Sequence, residues 1–120
     1  MPLYQGKPVS VFGTGMYMPE RVLTNYDLEK MVDTSDAWIK ERTGISERRI
    51  AAQDELTSDL ALKASIEALK DASVSPEAID MVLVATNTPD SIFPGVAPKV
   101  QGMLNASRAG ACDIQSGCTS

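Results

Sequence analysis

Apolar residues recur along the chain at two spacings, one helical and one strand-like, and their order sketches an α/β layout. Leu28, Met31 and Val32 fall at i, i+3 and i+4, and Thr24 stands three residues before Asp27. That spacing is a capping box, so a short helix is predicted from Thr24. Ser35 offers a second N-cap with Asp36 in the first turn; this helix carries Trp38 and Ile39 and ends at Gly44, a residue suited to the C′ position. From about Ser58 to Ala72, Leu60, Ala64, Ile66, Ala68 and Leu69 make one stripe, with Asp59, Lys63, Glu67, Lys70 and Asp71 on the wet side. Ser75-Pro76-Glu77 opens a short turn, and Gly95 to Leu104 is weakly helical through Val96, Val100, Met103 and Leu104. Pro8 to Gly13 reads as a strand through Val9, Val11 and Phe12. Ile45 to Ala51 alternates apolar and charged residues, as an exposed strand or ordered loop does. Met81 to Thr86 is a continuous apolar run, the mark of a buried parallel strand. Asn87 to Pro94 is a loop presenting Ile92 and Phe93, and Ala109 to Ile114 is a final strand. The succession is βαβαβ, with right-handed crossovers expected, in one domain of residues 1–120.

Composition narrows the function classes. The net charge is −5, and no basic block extends beyond Arg48-Arg49, so a nucleic-acid footprint is not expected. Apolar runs fall far short of the roughly 20 residues of a membrane span, and the N-terminus has no signal-peptide h-region. A soluble, cytoplasmic protein is expected, and two cysteines suit that compartment. Gly13-Thr14-Gly15 invites a dinucleotide-binding reading, but Met16 to Pro19 follow where a helix should open and no third glycine is in register. A tight turn is the better account. There is no histidine, so no Cys–His dyad can form within the chain, and the cysteines lack the spacing of a zinc site.

Chemistry concentrates at the end of the chain. Ser116-Gly117-Cys118-Thr119-Ser120 follows the last strand, and small residues around a thiol at a strand end suit a sharp strand-to-helix turn. At the first turn of a following helix, the dipole and free N–H groups favour the thiolate, which makes Cys118 a candidate nucleophile. A buried thiol acting as a small hydrophobe is the other reading. Cys112 reads as core and Arg48-Arg49 as a solvated charged edge. Trp38, the single tryptophan, reads by itself as a partly buried core residue, and Phe93 as ordinary packing.

Thr24-Asn25, Asp27-Leu28-Glu29, Val32-Asp33-Thr34-Ser35-Asp36, Trp38-Ile39, Arg42-Thr43-Gly44-Ile45 and Glu47-Arg48 together resemble the N-terminal half of β-ketoacyl-[acyl carrier protein] synthase III. That family comprises the thiolase-fold condensing enzymes that start bacterial type II fatty acid synthesis. The resemblance runs from about Pro8 to the chain end. It implies a thiolase-like fold whose N-terminal βαβαβ half has a predominantly parallel sheet, with the C-terminal half outside this chain. It implies that Cys118 takes a short acyl group from acyl-coenzyme A, with its own backbone N–H in the oxyanion hole, and passes it to the carbanion of malonyl-acyl carrier protein. Trp38 then becomes a platform for the coenzyme A adenine, with Thr34 and Arg42 beside it, and Phe93 reaches across a homodimer interface to line the partner's acyl tunnel. No tightly bound cofactor is implied, and the family's His and Asn come from the second half of the fold. Ser120 departs from the family's usual glycine, and Gln115-Ser116 from a more apolar pair. Both departures leave room for a polyketide starter-unit synthase, and a non-catalytic interaction domain is a further alternative. A hydroxymethylglutaryl-coenzyme A synthase relative would carry a catalytic Glu shortly upstream of the cysteine. There is none between Pro89 and Gly117.

Overall fold

The computed structural model describes residues 9–117. Among these, the strands form two two-stranded sheets. Strand β1 (Arg21–Thr24) pairs antiparallel with β2 (Glu47–Ile50), Arg21 opposite Ile50 and Thr24 opposite Glu47. Strand β3 (Met81–Ala85) pairs parallel with β4 (Gly110–Ile114), Met81 in register with Gly110 and Ala85 with Ile114. Helices α1 (Asn25–Glu29) and α2 (Asp36–Thr43) lie between β1 and β2. Helix α3 (Thr57–Ala72) and a 3-10 turn (Pro76–Ala78) precede β3, and α4 (Val96–Met103) connects β3 to β4 as a βαβ unit.

The local signals for the first helices hold in the structure. The Thr24 hydroxyl accepts from the Asp27 N–H at 3.2 Å, while the Asp27 carboxylate accepts from the Thr24 N–H at 3.1 Å, a reciprocal capping box. The Ser35 hydroxyl accepts from the Trp38 N–H at 3.1 Å, and α2 closes on Gly44 at φ 72°, a left-handed position open to glycine. At α3 the N-cap residue is Leu56, which has no hydroxyl to offer; the Asp59 carboxylate instead accepts from the Leu56 N–H at 2.9 Å.

The core lies between α3, α4 and one face of the parallel pair. Val96, Val100, Leu104 and Ala106 are buried, and Ala61, Leu62, Leu69, Ile79, Val82, Val84 and Ala109 pack on them. Val82 and Val84 face this core; Met81 and Leu83 point the other way, Leu83 62% exposed. The continuous apolar run of β3 is therefore buried on one face only. Cys112, in register with Leu83, shares the bare face and is exposed, against the core role expected for it.

Three further expectations are corrected. No strand forms over residues 9–13, and Val9, Val11 and Phe12 are exposed. A strand exists only through a partner ladder, and no described strand lies alongside this segment. Gly13 and Gly15 are explained by close approach to α3 rather than by a tight turn. A Cβ on Gly13 would meet the backbone of Ala68 and Ala72, and one on Gly15 that of Ala64 and Ala68. The neighbouring Thr14 N–H is held by the Asp71 carboxylate at 2.9 Å. Arg48, in turn, is no solvated edge: its guanidinium donates to Asn25 Oδ1 at 2.7 Å and to the Leu23 carbonyl at 3.2 Å.

Candidate active site

Thr34, Trp38 and Arg42 are brought together at α2. The Ser35 cap sets Trp38 on the first turn, and Arg42 follows one turn later on the same face. Trp38 is 55% exposed, and the Arg42 guanidinium carbon lies 5.8 Å from its ring centroid, a cation–π distance. Asp33, Thr34, Ser35 and Trp38 line one surface cleft. A tryptophan serving the core would be covered; this one is open. A flat ring, an adjoining cation and a hydroxyl suit a planar heteroaromatic ligand that carries anionic groups.

The platform is braced from below. The Asp36 carboxylate pairs with Lys40 at 2.9 Å and accepts from the Asn25 side chain at 2.9 Å. The Lys40 hydrogen bond first, and that of Asn25 second, hold this carboxyl below the usual aspartate range. The Asp36 N–H donates to the Glu29 carboxylate at 2.6 Å, which ties α2 to the end of α1.

The second group sits at the C-terminal ends of β3 and β4, where open α/β sheets place their sites. The Thr86 N–H donates to the Ile114 carbonyl at 3.1 Å, continuing the pairing one step past β3. Gly117 follows at φ 60°, in the left-handed region a sharp turn uses, and its N–H donates to Asn87 Oδ1 at 3.3 Å. Cys118 lies outside the described residues. Nothing in the sequence pattern singles out Asn87, because its partner is 30 residues away.

The loop between β3 and α4 is fixed at both ends by acids, of which the Asp90 side chain is buried and Asp113 is exposed. Asp90, its side chain 2% exposed, accepts from the Ser58 N–H at the start of α3 and from Lys99 at 3.3 Å. Burial pushes its pKa up, but the hydrogen bonds from Ser58 and Lys99 outweigh burial and leave it below the usual value. At the other end, Asp113 of β4 accepts from the N–H groups of Val96 and Ala97, both at 2.9 Å, and so caps α4. Between these anchors Ile92 and Phe93 are 99% and 90% exposed. Phe93 is far too exposed for the packing role that its type alone suggests.

A curated β-ketoacyl-[acyl carrier protein] synthase III from Caldanaerobacter subterraneus subsp. tengcongensis is 59% identical to this chain over 109 residues, 91% of the chain and 33% of the relative. The chain is homologous to β-ketoacyl-[acyl carrier protein] synthase III. It spans about a third of the length of the curated relatives it matches. The crystal structure of the 3-oxoacyl-[acyl carrier protein] synthase III from Aquifex aeolicus superposes with a TM-score of 0.85 at 50% identity, covering 90% of this chain and 35% of that one. The priming β-ketosynthase of the R1128 polyketide pathway also superposes with a TM-score of 0.85, at 37% identity, covering 88% and 32%. The fold is thus that of the thiolase-like condensing enzymes, as the sequence implied. No family model matches the chain. Among the described residues, no helix is long and apolar enough to cross a membrane, and no cluster of His, Cys, Asp or Glu could hold a metal ion.

Proposed function

We propose that this chain supplies the nucleophile and the acyl-donor platform of a cytoplasmic condensing acyltransferase. The observation that carries this reading is the 59% identity to β-ketoacyl-[acyl carrier protein] synthase III over 91% of the chain. The Cys118 thiolate attacks the thioester carbon of an acyl-coenzyme A, coenzyme A leaves as its thiolate, and an S-acyl cysteine remains. Malonyl-acyl carrier protein then loses CO₂, and the carbanion displaces the Cys118 thiolate, giving a 3-oxoacyl product. Backbone N–H groups, that of Cys118 among them, hold the oxyanion in the first step. The chain contains no histidine, so groups that orient malonyl and stabilise its carbanion come from outside these 120 residues.

In this reading the adenine of coenzyme A stacks on the open face of Trp38, Thr34 hydrogen-bonds the nucleotide, and Arg42 faces its phosphates. The exposed Ile92–Phe93 tip is the contact to a second copy, Phe93 lining that copy's acyl tunnel. No tightly bound cofactor is required. The likeness to the R1128 priming ketosynthase favours one second reading, a polyketide starter-unit synthase. The test is to give the complete protein carrying this sequence acetyl-coenzyme A and malonyl-acyl carrier protein. Formation of 3-oxobutyryl-acyl carrier protein is expected. Formation of the same product by residues 1–120 alone would overturn the assignment of the carbanion chemistry to groups outside the chain.

A further inference from the structure

Asn25 is the one fully buried polar side chain of large volume among the described residues, at 0% exposure, and the chemistry above leaves it without a role. Both polar atoms of its amide are hydrogen-bonded. Nδ2 donates to Asp36 Oδ1 at 2.9 Å and to the Ile45 carbonyl at 2.8 Å, and Oδ1 accepts from Arg48 Nη2 at 2.7 Å. Its backbone N–H donates to the Ser46 carbonyl at 3.1 Å. The partners dictate which amide atom is which: a carboxylate and a carbonyl can only accept, and a guanidinium can only donate. One residue at the start of α1 therefore clamps the first residue of α2, the turn after α2 and the β2 strand. Helix α2 has no buried residue of its own, so its seat rests on this polar clamp rather than on an apolar face.

We infer that Asn25, with Arg48 behind it, is a positioning residue that sets the bearing of α2 and hence the pose of Trp38 and Arg42 toward the nucleotide end of the acyl donor. This inference rests on the reading of Trp38 as a nucleotide platform. In the proposed function the thiol end of the donor reacts at Cys118, which is no part of this clamp. Loosening the clamp therefore weakens recognition of the nucleotide and spares the acyl-transfer chemistry. Asn25→Asp is the sharpest perturbation. It sets a carboxylate against the Asp36 carboxylate and the Ile45 carbonyl in a dry site. Asp36→Asn in the same chain removes the like-charge contact and returns a donor to the pair.

The experiment compares acetyl-coenzyme A with acetyl-pantetheine, which lacks the nucleotide, as acyl donors to the complete enzyme. For Asn25→Asp, kcat/KM with acetyl-coenzyme A is expected to fall about tenfold or more, chiefly through KM, and with acetyl-pantetheine by less than about twofold. Asn25→Asp/Asp36→Asn is expected to recover a large part of the loss. Equal losses with both donors, or no recovery in the double variant, would overturn the positioning role. Trp38→Ala, run in parallel, separates the two claims. If it leaves the preference for acetyl-coenzyme A intact, the nucleotide-platform reading fails. If it abolishes that preference while Asn25→Asp does not, the clamp alone fails.

Discussion

Asp27 shows at a single residue how local hydrogen bonding sets both structure and titration. Bonds from the Thr24 hydroxyl first, then from Lys30 and the Thr24 N–H, hold its pKa at about 2, against 3.8 for an ordinary aspartate. A depressed carboxyl pKa stabilises the fold above the unfolded value, and that contribution drains away as pH falls from about 4 toward 2. Carbon-detected NMR titration of the Asp27 carboxyl should give this low midpoint, and Thr24→Val should raise it toward 3.8. An unmoved midpoint in the variant would show that the capping hydroxyl is not the cause. The Thr24, Ser35 and Gly44 signals were legible because each acts within four residues of itself. Asn25 and Arg48 were not, although both lie inside the stretch that carries the family resemblance. Their partnership closes only when β1 and β2 pair, 23 residues apart.

At the scale of elements, the same distance rule separates what the pattern revealed from what it hid. The stripe of α3 and the run of β3 located those elements, because periodicity is read within one segment. The caps that orient α3 and α4 come from Asp90 and Asp113, 32 and 17 residues away from the N–H groups they hold, and no local pattern marks them. Gly95 belongs to this arrangement. It has an ordinary φ of −68°, so it is not needed for its backbone; a Cβ there would run into the Asp113 carboxylate. Gly95→Ala should therefore destabilise the protein by about 1–3 kcal/mol through overpacking, and Asp113→Ala by about 0.5–2 kcal/mol through loss of the cap. In chemical denaturation the double variant should cost clearly less than the two losses together, because Asp113→Ala removes the carboxylate that the Ala Cβ at position 95 would clash with. Strict additivity would contradict the contact.

At the scale of the whole molecule, the surface area is the telling quantity. The chain exposes 9148 Å², whereas a compact protein of its 12.9 kDa mass exposes about 6,300 Å². Much of the excess is apolar: Val9, Val11 and Phe12 on the segment read as a strand, Met81 and Leu83 on the bare face of β3, and Ile92 and Phe93 at the loop tip. The runs that hold Val9, Val11, Phe12, Met81 and Leu83 carry strand patterns, and such patterns record the faces a strand can bury without saying which neighbours do so. Residues 1–120 expressed alone are expected to self-associate and to bind an apolar dye such as ANS. A monodisperse, dye-silent monomer would show that these faces need no cover. Cys118 is proposed as the acyl-accepting thiol, and mass spectrometry of the complete protein after exposure to acetyl-coenzyme A checks that proposal most directly. One acetyl group per chain on the Cys118 peptide, absent from Cys118→Ala, is the expected result; full acetylation of Cys118→Ala would contradict it.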